Sequence, residues 1–149
     1  MTDPTKLLAG TKTVLLIDWP SRDVPDTLAR SGFTVVSNDG PDEYNAYEVE
    51  GGEVRARDVG QLPKAADLVY THRPIDELAE IVDTARALGA KAVWIQSGLD
   101  RTGAKDPRGC WLPDSESAKA REIVEAVGIT YIEAPYIAEV ARAKGARTS

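Results

Sequence analysis

The chain has 149 residues, 42% of them hydrophobic and 28% charged, with a formal net charge of −6 and a single cysteine. That length suits one domain with one substantial core, the charge opposes binding to nucleic acid or anionic lipid, and one cysteine excludes an internal disulfide. One histidine beside one cysteine makes a poor zinc site, and no apolar run reaches the roughly 18–20 residues that span a bilayer. Met1–Gly10 lacks a long apolar stretch after a basic start, so no signal peptide is expected and the cytoplasm is the default setting.

Residues 1–12 read as a leader, with a short helix around Lys6–Ala9 packed on the outside. Thr13–Ile17 is a continuous β-branched and leucine run, the pattern of a strand buried on both faces. It ends at Asp18-Trp19-Pro20-Ser21-Arg22, after which Pro25 suits a helix first turn capped by Asp23 or its neighbour and running to about Ser31. Phe33–Val36 is the next strand. Ser37–Tyr47, with Asn38-Asp39-Gly40-Pro41-Asp42 inside it, has the composition of a surface loop. Glu48–Arg57, with Gly51-Gly52 inside it, suits a β-hairpin or a bulged edge strand.

From Ala66 to Gly98 the pattern is strand, helix, strand. Leu68–Tyr70 leads through a turn into a helix whose Leu78, Ile81, Val82, Ala85 and Leu88 share one face, and Ala92–Ile95 follows as a second buried strand. A βαβ unit of this length forces two parallel strands and a right-handed crossover. Leu99–Pro113, rich in Gly, Asp, Pro and Arg, reads as an excursion that carries Cys110 and Trp111 outside the sheet. Asp114 or Ser115 caps a helix with Ala120, Ile123, Val124 and Val127 on one face, Ile129–Ile132 is a last strand, and Pro135 opens a final helix ending near Lys144. The basic residues Arg142, Lys144 and Arg147 suit the C-terminal end of that helix dipole.

Three segments, Arg30–Val36, Ala87–Val93 and Ala126–Ile132, each read as helix end, glycine, strand. That repetition is what an open α/β sheet with short connections requires. The expected fold is a single three-layer Rossmann-like α/β domain over residues 13–145, with a mainly parallel sheet in which Thr13–Ile17 and Leu68–Thr71 are adjacent central strands. In such sheets a ligand lies beyond the strand C-termini at the switch in strand order. That rule singles out Trp19, Ser21, Arg22, Asp39, His72, Arg73, Gln96, Ser97 and Gly98 as candidate ligand contacts. Arg73 suits a phosphate, against the competing reading of an ion pair with Asp76 or Glu77; Trp94 reads as core. His72 has no partner serine, cysteine or paired carboxylate within sequence reach, so no catalytic residue is assigned. Asp39 matches the acidic ribose-binding position of dinucleotide folds, although no Gly-x-Gly-x-x-Gly follows the first strand.

Ala-Leu-Gly-Ala-Lys-Ala-Val-Trp-Ile-Gln-Ser-Gly (Ala87–Gly98) and Asp-Leu-Val-Tyr-Thr-His-Arg-Pro (Asp67–Pro74) resemble signatures of the small stand-alone CoA-binding proteins. That family is related in fold to the CoA-binding domain of the succinyl-CoA synthetase α subunit, and the resemblance spans about residues 13–140. It implies a Rossmann-like module that binds CoA, acyl-CoA or a related adenine nucleotide, without chemistry or a metal of its own. The glycine that the family carries directly after its first strand is Asp18 here, and the loop beyond it is shorter. A phosphate at that turn needs free backbone N–H groups and no neighbouring anion. Two other readings stay open: a degenerate fold that acts as a protein–protein scaffold, and an enzyme on a nucleotide-linked substrate. A protein partner or homo-oligomer is compatible with each.

Overall fold

The computed structural model describes residues 4–19, 22–40, 43–61, 63–73, 75–98, 102, 104–106, 112–133 and 136–148. The strands are β1 (Thr13–Ile17), β2 (Thr34–Gly40), β3 (Glu43–Glu50), β4 (Glu53–Asp58), β5 (Leu68–Thr71), β6 (Ala92–Ile95) and β7 (Thr130–Ile132). The helices are α1 (Pro4–Ala9), α2 (Asp23–Arg30), α3 (Leu78–Ala87), α4 (Asp114–Glu125) and α5 (Ile137–Thr148), with a 3₁₀ turn at Ile75–Glu77 leading into α3.

One sheet has the order β4-β3-β2-β1-β5-β6-β7. β2, β1, β5, β6 and β7 run parallel, and β3 and β4 add an antiparallel hairpin at the β2 edge. β1 and β5 are adjacent and central, with Leu15 opposite Val69 and Ile17 opposite Thr71. Alternate residues of the central strands enter two cores. Val14, Leu16, Leu68, Tyr70 and Trp94 pack with α1, α2 and α5, while Leu15, Val69, Val93 and Ile95 pack with α3 and α4. This is a three-layer Rossmann-like domain. Fully burying a side chain such as Leu15 or Leu16 contributes about 1.5–3 kcal/mol, which is why strands with no polar face end in the middle of the sheet. Leu7 and Leu8 of α1 are buried against the same core as α5.

The expected C-cap glycines all take left-handed backbone, with φ of +94° at Gly32, +72° at Gly89 and +80° at Gly128. At α2 the N-cap position falls to Arg22, the neighbour of Asp23, and at α4 it falls to Pro113 rather than to Asp114 or Ser115 as expected; neither makes a side-chain capping bond, and Asp23 and Asp114 are the first helical residues. Asp23 instead accepts hydrogen bonds from Thr27 (2.9 Å) and from Arg142 of α5 (2.8 Å). Arg142 thereby fastens α5 to α2, and α5 continues past Lys144 to Thr148.

The segment expected as a loop at Ser37–Tyr47 is the main correction. β2 continues through Gly40 and β3 starts at Glu43, with Ser37 opposite Asn45 and Val35 opposite Tyr47. The turn-forming residues are accommodated by a register shift between Asn38 and Gly40, and the antiparallel ladder satisfies backbone groups that a loop would leave to water. The expected Gly51-Gly52 hairpin is present and joins β3 to β4. The excursion carrying Cys110 and Trp111 lies mostly outside the described residues, as do Pro135 and those two side chains.

Candidate functional site

The chain leaves β1 to one side to form β2 and crosses to the other side to form β5, so the sheet order switches between β1 and β5. Sheets of this kind take ligands in a crevice beyond the strand C-termini at that switch, and here Asp18 follows β1, His72 and Arg73 follow β5, and Gln96–Gly98 follow β6.

Asp18 and Arg73 come together from positions 55 residues apart, with Arg73 Nη1 donating to Asp18 Oδ2 at 3.4 Å. The other edge of the guanidinium is held more tightly by Glu77, with Nη2 donating at 2.6 Å and Nε at 3.1 Å to Oε2. Glu77 first, and Asp18 after it, push the pKa of Arg73 above its ordinary value. Both side chains of the Asp18–Arg73 pair keep more than 40% of their surface exposed, so water screens the contact and it holds the two groups weakly. Arg73 is positioned through its backbone, whose N–H donates to Thr71 Oγ1 at 3.1 Å.

Asp18 has φ of +66°, and no other non-glycine among the described residues has positive φ. The left-handed region costs about 1–2 kcal/mol for an ordinary L-residue, with Asp among those that tolerate it best. Its Oδ1 accepts the Trp19 N–H at 2.9 Å.

His72 Nδ1 lies 2.8 Å from the Gln96 carbonyl. A carbonyl has no proton to give, so Nδ1 carries the proton of this hydrogen bond. The ring lies against Gly98, where a Cβ would sit 3.1 Å from His72 Cε1, and Gly98 has φ of +78°. The Gln96 side chain turns the other way. It is wholly buried and accepts the Tyr70 hydroxyl at 2.5 Å, so Gln96 reaches the crevice through its backbone. Ser97 is half-buried beside Gly98.

Trp19 and Arg22 are drawn to the hairpin. Trp19 packs edge-to-face on Tyr47 with ring centroids 6.2 Å apart, and Arg22 lies over the same ring at 5.3 Å. Arg22 also bonds Asp26 (2.8 Å) and the Val54 carbonyl (3.1 Å), so its charge serves the joint between α2 and the hairpin. Asp39 lies in β2 at the register shift, and Ser21 is outside the described residues. Tyr47 and Tyr70 were not singled out from sequence. Tyr47 sits in a stretch with loop composition, where strict alternation breaks at Ala46-Tyr47, and Tyr70 reads as any core aromatic.

Beneath Arg73, a cavity of about 10 Å³ is lined by Thr71, Ile75, Leu78, Ile95 and Leu112. It has room for about one water and none for a base ring. A larger groove of about 310 Å³ runs between α2 and the first residues of β2, at the opposite end of the sheet. Its walls include Phe33, Val35, Tyr47 and Glu48 and no cation, which is poor chemistry for a phosphate. Directly after β7, Glu133 accepts the Tyr131 hydroxyl (2.6 Å) and the Ser117 hydroxyl (2.7 Å), fastening α4 to the sheet. Burial, then the Glu133 bond, push the Tyr131 pKa well up. Among the described residues no group of three or more His, Cys, Asp or Glu side chains is placed to hold a metal, and no helix is long and apolar enough to cross a membrane.

A mainly parallel sheet with a switch in strand order between β1 and β5 defines the class of small Rossmann-like domains. The profile of the CoA binding domain family matches residues 17–141, and the chain belongs to that family. A solved structure, that of cell-free ID.343 from Thermus thermophilus, is similar in fold, with a TM-score of 0.59 and 19% sequence identity over 96% of this chain and 99% of that one. No curated protein sequence matches the chain.

Proposed function

We propose that the protein is a non-catalytic binding module for CoA, acyl-CoA or a related adenine nucleotide. The ligand lies in the crevice at the C-terminal ends of β1, β5 and β6, and the binding domain is residues 13–145 with the excursion at 99–113. The observation that carries this reading is the Arg73 guanidinium at the β1/β5 switch point of a CoA-binding-domain chain. His72, Ser97 and Gly98 line the β6 side of the crevice, where the left-handed turn at Gly98 lets the backbone come close to a ligand. The same reading sets the protein in the cytoplasm, where a lone thiol stays reduced. Thermal shift and calorimetry with CoA, acetyl-CoA, NAD and ATP test it. CoA or an acyl-CoA is expected to stabilise the protein, and Arg73→Ala to weaken binding by the ~1.5–3 kcal/mol typical of a hydrogen bond to a charged group.

A second reading, a protein–protein scaffold on a degenerate pocket, is favoured by the contacts that Arg73 already makes with Asp18 and Glu77. Absence of any ligand-induced shift would select it.

A further inference from the structure

At the turn that ends β1, two donors suited to a ligand phosphate are engaged by a single side chain. The Trp19 N–H donates to one oxygen of Asp18 at 2.9 Å, and Arg73 Nη1 donates to the other at 3.4 Å. The remaining edge of Arg73 is bound to Glu77. The left-handed backbone of Asp18 (φ +66°) places a carboxylate where glycine would leave open space.

We infer that the Asp18 carboxylate is a resident anion that sets the ligand specificity of the crevice: it stands in for a phosphate at the β1 turn, so the protein disfavours ligands presenting a diphosphate there and is indifferent to phosphate-free parts such as pantetheine. This rests on the reading that the crevice takes ligands of the CoA class. An incoming phosphate must displace Asp18 from both donors and then sit beside two carboxylates, Asp18 and Glu77. The Asp18–Arg73 pair is half-exposed and exchangeable, so the effect is a graded discrimination rather than a block.

The test compares wild type, Asp18→Asn and Asp18→Gly by calorimetry with inorganic pyrophosphate, CoA and pantetheine. Asn keeps an oxygen for the Trp19 N–H and tolerates left-handed backbone, while Gly removes the side chain altogether. Both variants are expected to bind pyrophosphate and CoA about tenfold tighter or more, with pantetheine unchanged, and Arg73→Ala added to Asp18→Asn is expected to cancel the gain. Equal CoA and pyrophosphate affinity in all three proteins, or an equal gain for pantetheine, overturns the inference while leaving the proposed function standing. A pyrophosphate gain with no CoA binding in any variant overturns both, since the inference needs a crevice that takes ligands of the CoA class. No binding of any probe to any variant overturns both.

Discussion

The phenolic hydroxyl of Tyr70 donates to the side-chain oxygen of Gln96 across 2.5 Å, and neither side chain has exposed surface. The bond joins β5 to the first residue beyond β6 and leaves the Gln96 carbonyl facing His72. Gln96 thus shapes the crevice floor from inside the core. Tyr70→Phe is expected to cost about 1–3 kcal/mol in urea denaturation, because it takes the hydroxyl donor away from a wholly buried acceptor. Ligand affinity is expected to stay within error of wild type; a large loss of affinity would place Gln96 in direct contact with the ligand.

Asp67 ties the N-terminal ends of the central strands together, its Oδ2 accepting the backbone N–H groups of Thr13 (3.0 Å) and Lys12 (2.8 Å). The Thr13 bond, then the Lys12 bond, lower its pKa below the ordinary carboxylate value. A folded-state pKa below the unfolded one gives stability that is complete above the unfolded value near 3.9 and is lost as the pH falls through the folded value. Asp67→Asn is therefore expected to be less stable than wild type at pH 7 by about 1 kcal/mol, with the difference narrowing once the pH falls below about 3.9. Urea titrations at pH 7, 5 and 3 check it, and a gap that widens on acidification would refute the assignment.

Gly98 combines φ of +78° with a neighbour 3.1 Å from the place of its missing Cβ. Gly98→Ala is expected to destabilise the fold by about 1–2 kcal/mol from backbone conformation. It is also expected to push the His72 ring off the Gln96 carbonyl. Loss of the slowly exchanging His72 Nδ1 proton in NMR spectra would report the second effect, and unchanged stability would show that the turn relaxes freely.

Trp19 and Tyr47 connect the first crevice loop to the added hairpin through their edge-to-face contact. Trp19→Ala is expected to remove about 0.5–1.5 kcal/mol beyond the lost area and to loosen β3 selectively. Hydrogen exchange should quicken at β3 amides around Tyr47 while β6 amides around Trp94 stay protected. Uniform acceleration across both strands would mean that the hairpin and the parallel sheet unfold as one unit.

The parallel core was readable in one dimension because burial on both faces leaves a local mark. Thr13–Ile17, Leu68–Thr71 and Ala92–Ile95 are apolar at every or nearly every position, and glycine follows the helices that precede β2, β6 and β7. The hairpin strands were not readable in full. Ser37–Tyr47 carries turn residues, and its pairing depends on partners across the sheet, such as Tyr47 opposite both Val35 and Ala56. The crevice followed the same division. Its position follows from the strand order, and His72, Arg73 and Gly98 fall there because they follow β5 and β6 directly. Which way each side chain turns is set by neighbours far along the chain: Gln96 inward to Tyr70, Arg22 to Tyr47 and Val54, and Arg73 to Asp18 across 55 residues. Periodicity reports only how much of a segment is buried, whereas a polar side chain goes to the partner that best satisfies its hydrogen bonds, and that partner exists only once the sheet has assembled.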